Sequence, residues 1–276
     1  MPRPRANLFR WMAGGLLTGM LLSLVSFGTA AEGQVAWRVF LAGLLLAFVA
    51  LVLALSMAVI RGQRLEAERL AAIEEMVTLR HWPAAAAALQ ELLMSPMHSI
   101  SARVQALMFL AAVLARYHRF SEAIEVHDHL LGWVDLDEPS ALMLRAARAM
   151  ALLREDRLID ADRAISELRR MPGASTSALV ALVELYRDVK TGHHAEAIEI
   201  FNRHRDRFGP QLGHRAADAF LLAAVAHFER DDEPAARALF EDATLLAPPI
   251  ELLRRYPESR RLFERFPPAP APPEAA

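Results

Sequence analysis

The chain has no cysteine, which excludes disulfide bracing without choosing a compartment. Lysine is almost as scarce: Lys190 is the only one among 31 basic residues, so most candidates for lysine chemistry are gone. With 12 glycines in 276 residues and 54% apolar content, a disordered or collagenous protein is excluded. No Gly-rich phosphate loop, paired-histidine zinc motif or nucleophile elbow is present. Serine, histidine and aspartate are scattered, and scattered residues make no triad. His127 and His129 stand two apart in a predicted helix, so they point to different faces and read as solvated surface. His193 and His194 fall in a predicted turn. The reading is therefore of a non-enzyme, with no cofactor and no metal expected.

Charge excludes a further class. Beyond residue 60 the chain carries 27 basic and 32 acidic residues, whereas a general nucleic-acid surface is basic. Nucleic acid is not an expected partner.

Long uncharged runs, by contrast, are present. Twenty-one residues separate Arg10 from Glu32, and 22 separate Arg38 from Arg61. Either run, as a helix rising about 1.5 Å per residue, crosses a hydrocarbon core of about 30 Å. Trp11 and Trp37 open the runs, where an amphipathic ring suits the headgroup level. After the basic segment 1-10, transmembrane helices over 11-31 and 37-60 are predicted to form a tight hairpin. Small residues recur at fourfold spacing, Gly15, Gly19 and Ser23 in the first helix and Gly43 and Ala47 in the second. Such spacing lets helix backbones approach closely in lipid, although alanine and glycine are also simply common there. Arg3, Arg5 and Arg10 precede the pair and Arg61, Arg64 and Arg69 follow it, which predicts both ends in the cytoplasm. The stretch "FGTAAEG" resembles a signal-peptidase site, but the apolar core before it is longer than a signal's, so an uncleaved hairpin is expected.

After the hairpin the chain repeats itself. The segments "RHWPAAAAALQELL", "HRFSEAIEVHDHLL", "DRLIDADRAISELR", "GHHAEAIEIFNRHR" and "DDEPAARALFEDAT" superpose with Ala85, Ala123, Ala161, Ala197 and Ala236 in register, at separations of 38, 38, 36 and 39 residues. Each copy follows another amphipathic stretch, so each pair predicts an antiparallel helix hairpin. Pro83 and Pro234 share one repeat position, just inside the second helix, where the missing N–H costs nothing.

The unit resembles the tetratricopeptide repeat. Ala236, Phe240, Ala243 and Pro248 match that family's second-helix pattern, and Ala197 with Phe201 and Ala85 with Leu89 match it in part; Arg148 and Glu184 depart from it at apolar first-helix positions. The resemblance implies an all-α fold, in which an N-terminal transmembrane helical hairpin is followed by an α-solenoid of about five helix-turn-helix repeats over 62-248. Residues 249-266 are expected to cap the last repeat, and 267-276 to form a disordered Pro-rich tail. Only Gly62 interrupts the junction of the second apolar run with the first repeat, so the solenoid is expected to be held close to the membrane. The layout is similar to that of membrane-anchored bacterial members of the family, implying an integral inner-membrane protein with most of the chain cytoplasmic.

The resemblance further implies a concave groove, lined by first helices, that takes a segment of another protein. Its positions fall on Gln105, Phe109, Ala112 and Arg116, then Ala147, Met150 and Arg154, then Val183, Tyr186 and Lys190, then Asp218, Leu222 and Val225. Arg116, Arg154 and Lys190 occupy one equivalent position, either as a basic ladder for acidic groups on a partner or as cations favoured by the helix dipole. The family's carboxylate-gripping asparagines have no counterpart, because Asn7 and Asn202 lie elsewhere. The expected function is a membrane-anchored adaptor or scaffold that binds a partner protein through this groove. The alternative is a regulatory or assembly subunit that binds a membrane protein complex through the hairpin at Gly15, Gly19 and Ser23.

Overall fold

A computed structural model describes residues 34–267 of the chain, with side chains from residue 42 onward. Gly15, Gly19 and Ser23, the first predicted membrane helix and residues 268–276 lie outside the described residues. Among the described residues every element is helical and none is a strand. Contacts divide the chain into two compact units, residues 1–69 and 70–276.

The described part of the first unit belongs to α1 (Gln34–Thr78), which runs through Gly62 without a break and whose residues from Leu70 onward count with the second unit. Its part from Ala42 to Thr78 is long and apolar enough to cross a membrane, with a mean hydropathy of 2.8 over its most apolar window and none of that window buried. Leu44, Leu46, Leu51, Leu53 and Leu55 all lie exposed. No polar face opposes them over this stretch. Gly43 and Ala47 are on this helix, and among the described residues nothing lies within 4 Å of a Cβ placed on Gly43.

The second unit is a run of helix pairs. The end of α1 pairs with α2 (Trp82–Met94), α3 (Ile100–Arg116) with α4 (Phe120–Trp133), and α5 (Glu138–Arg154) with α6 (Leu158–Arg169). Then α7 (Ala178–Thr191) pairs with α8 (His194–Leu212), and α9 (Ala216–Phe228) with α10 (Glu233–Leu246). Ser99, Asp137 and Ser177 start α3, α5 and α7 by accepting the N–H of Ala102, Ser140 and Val180 on their side chains, which satisfies donors the first turn leaves open.

All five pairs turn through one device. Five residues before each register alanine the backbone is left-handed, with φ of 61° at Arg80, 60° at His118, 58° at Asp156, 80° at Gly192 and 60° at Asp231. The next N–H reaches back to close the first helix: His81 to the Met76 carbonyl, Arg119 to Leu114, Arg157 to Leu152, His193 to Asp188 and Asp232 to His227, all at 2.8–3.0 Å. That same residue's carbonyl accepts from the register alanine and opens the second helix. Only Gly192 holds this conformation without a Cβ penalty; the other four turns carry on the order of 1 kcal/mol of strain each. The register alanines are fully buried, because the helices approach too closely there for a larger side chain.

Polar residues at two tight contacts have local partners. Arg148 on α5 meets Asp128 on α4, and Glu184 on α7 meets Arg169 on α6. Each ion pair joins a first helix to the second helix of the preceding pair.

The core forms two clusters. One joins Leu70 and Ile73 to Leu89 and Leu92 on α2 and to Ala106 and Val113 on α3; the other runs from Ile124 to Phe266. The first helices α5 and α7 pack together, as do α7 and α9, but α3 and α5 make no comparable contact. The groove described below opens between them.

The chain then closes with α11 (Pro249–Arg255), a 3-10 turn (Pro257–Ser259) and α12 (Arg260–Arg265). Helix α12 covers the end of the last pair: Phe263 meets Phe240 edge-on at 4.9 Å, and Arg261 and Arg265 pair with Glu229 and Glu233. Helix α11 goes elsewhere. Glu251 reaches back to Arg80 at 2.8 Å and Arg116 at 3.5 Å, so within the segment expected to cap the last repeat α12 covers the end of that pair while α11 extends along the first-helix side of the second unit.

Candidate functional site

The first-helix positions divide into an open and a filled half. In the open half Phe109, Ala112, Ala147, Met150 and Arg154 border a groove of about 350 Å³ with Met108, Phe120 and Met143. Ala112 and Ala147 are exposed, and their short side chains cannot bridge the gap between α3 and α5. The three methionines supply unbranched, polarizable chains that adapt to what they touch. Gln105 is exposed but borders neither this groove nor the pocket beside it.

In the filled half Val183, Tyr186, Leu222 and Val225 are all buried. Leu222 and Val225 belong to the core that the C-terminal helices complete. Tyr256, from that segment, stands edge-on to Tyr186 at 5.1 Å and lies under Arg154 at 5.4 Å. Its hydroxyl is buried without a hydrogen-bond partner, and burial first, then the nearby Asp218 carboxylate, push the phenol up to about 12.

The three basic positions meet the chain's own groups. Arg116 has Glu251, and Lys190 has Glu258 at 3.0 Å and Asp156 at 2.8 Å. The Tyr186 hydroxyl donates to the same Glu258 carboxylate at 3.1 Å, and burial first, then the charge of that carboxylate, raise the phenol strongly. Among the described residues Arg154 has aromatic faces beside it, Phe120 at 5.6 Å and Tyr256, and its Nε is buried without a hydrogen-bond partner. Sequence reasoning missed this occupancy. Its one available signal was that "PIELLRRYPES" carries Glu251 and Glu258 around Leu252 and Tyr256, a pattern complementary to a basic and apolar face.

A second pocket, about 280 Å³, adjoins the groove and shares Ala112, Ala115, Arg154 and Arg215 with it. Arg254 donates there to His118 Nε2 at 3.0 Å. Desolvation, then the fields of Arg254, Arg154 and Arg116, hold the His118 imidazole below its usual range.

His127 corrects the expectation of a solvated histidine. It is 5% exposed on the floor of the groove, whereas His129 is exposed and stacks on Trp133 at 5.6 Å. Desolvation is the main cause that lowers its pKa to about 4, with Arg148 adding to the shift and Asp128 opposing it. Because the unfolded imidazole takes a proton near pH 6.5 and the folded one resists until about 4, stability falls as pH drops through that window. The slope from this residue is at most about 1.4 kcal/mol per pH unit. His127→Leu should flatten urea-unfolding stability between pH 6.5 and 4 and leave its pH dependence above 7 unchanged. An unaltered slope would refute the assignment. No group of three or more histidine, aspartate or glutamate side chains suited to a metal occurs among the described residues.

No protein-family model, curated protein or solved structure matches this chain.

Proposed function

We infer that the chain is a membrane-anchored adaptor whose tetratricopeptide-like repeats form a cytoplasmic solenoid and take a segment of a partner protein in the open half of their groove. The observation that carries this reading is the gap between α3 and α5. First helices α5 and α7, and α7 and α9, close on each other, but here an apolar, methionine-lined channel stays open to solvent, and contiguous apolar concavities of this kind mark binding sites. The exposed apolar part of α1 supports the anchoring, and the arginines that flank the two apolar runs support the cytoplasmic side.

Site-specific photocrosslinking in cells tests it. A benzoyl-phenylalanine at Ala112 or Ala147 is expected to give one discrete adduct of the same partner mass, while Arg163, on α6 outside the groove, gives none. Adducts from Gly43 with none from Ala112 or Ala147 would transfer the partner to the membrane segment and refute the groove reading.

A further inference from the structure

The pocket beside the groove is lined by six arginines, Arg80, Arg116, Arg154, Arg215, Arg254 and Arg255, against two carboxylates, Asp218 and Glu251. Six against two leaves a surplus of four positive charges among the arginines and carboxylates. The two carboxylates are already engaged. Asp218 lies 2.5 Å from Arg255 and 3.8 Å from Arg215, and Glu251 serves Arg80 and Arg116. Arg154 and Arg254 are left with no carboxylate partner among the described residues. Like charges gathered in a concave, partly desolvated site repel one another, so an arriving anion gains both attraction and relief of that repulsion.

The molecule also displays the kind of group that fits. Glu251 enters from a helical segment, and the apolar residues after it, Leu252 and Tyr256, fill the neighbouring half of the groove. The open half offers the same pairing without an occupant from the described chain: guanidinium groups that have no carboxylate partner among the described residues at one end, and Phe109, Met143 and Met150 beside them.

We propose that this arginine-lined pocket receives a carboxylate from a segment of a partner protein, and that a large apolar side chain next to that carboxylate seats between α3 and α5. The proposal rests on the groove reading above and adds the chemistry of the partner: an acidic, apolar peptide rather than a neutral or basic one. Arg154 is the central contact, because it borders both cavities. Its planar guanidinium suits two-point recognition of a carboxylate, and the rings of Phe120 and Tyr256 hold it in place.

Selection of displayed random 12-residue peptides against the full chain in detergent micelles tests this. Enriched peptides are measured by fluorescence anisotropy against the unaltered chain, Ala147→Trp, which blocks the groove from an exposed position, and the double variant Arg154→Gln/Arg254→Gln. The expected peptides carry aspartate or glutamate beside leucine, phenylalanine or methionine. They lose binding to Ala147→Trp, weaken about tenfold or more on the double variant, and weaken with rising salt. Circular dichroism and unfolding midpoints of both variants identify any loss that comes from misfolding, and Arg154→Lys/Arg254→Lys, which restores charge, should recover part of the affinity. Peptides that are neutral or basic, or acidic peptides indifferent to the glutamine variant, would overturn the proposal while the groove stands. Peptides indifferent to Ala147→Trp, or no enrichment, would overturn both.

Discussion

Tyr256→Ala is expected to destabilise the protein by about 3–5 kcal/mol, the range for emptying a buried aromatic site. The ring is wholly buried, packed edge-on against Tyr186 and beneath Arg154. Truncation removes those contacts and leaves Arg154 facing a void. Tyr256→Phe should behave oppositely. The lost hydroxyl has no hydrogen-bond partner, and an unpaired buried polar group is a cost, so that variant should lie within about 1 kcal/mol of the parent, on the stabilising side. Chemical denaturation of the two variants measures both numbers. A loss under about 1 kcal/mol for the alanine variant would mean that the C-terminal segment is held loosely and that the filled half of the groove is open to partners.

Asp218→Ala is the second large effect, at roughly 3 kcal/mol. Asp218 is 1% exposed, and Arg255 has only 19% of its side chain in water. Their 2.5 Å contact is a Coulombic one, since neither carboxylate oxygen has a partner aligned as a hydrogen bond. Removing the acid strands a mostly buried guanidinium in a pocket already rich in arginine. The pair itself is worth less than its rupture: Asp218→Leu with Arg255→Met should recover much of the loss, because both desolvation costs disappear together. If the double variant is no more stable than the single one, charge is not the cause.

The helix pairs were legible because their signals are local. An alanine in register every 36 to 39 residues and a proline just inside two second helices both act within a few positions. The turn conformation was not. Arginine, histidine and aspartate at four of the five left-handed positions carry no signature of their own, and only Gly192 does. Burial of polar side chains was equally hidden. His127 looks like surface, and Ser259, set among charged residues, is wholly buried with its Oγ donating to the Tyr256 carbonyl at 2.6 Å. Of the groove positions on α3 and α5, Gln105, Ala112 and Ala147 are exposed, Phe109, Arg116 and Arg154 half-buried and Met150 buried. Those on α7 and α9 became interior because a segment more than 20 residues further along covers them. No periodicity within a repeat reports on such a segment.

The return of α11 to the first helix pair also has a consequence in time. Arg80 leaves the ribosome 171 residues before Glu251. At 5–20 residues per second that is an interval of roughly ten to thirty seconds. As helices α3, α5 and α7 emerge in turn within it, their arginine, lysine and tyrosine side chains have no carboxylates from the C-terminal segment to meet them. Adjacent helix pairs form from contacts near in sequence and do so early, while the last step joins the two ends of the repeat array. The ion pairs of Glu251 with Arg80 and Arg116 thus add a link between residues far apart in the chain, of a kind that coupling between adjacent helix pairs does not supply.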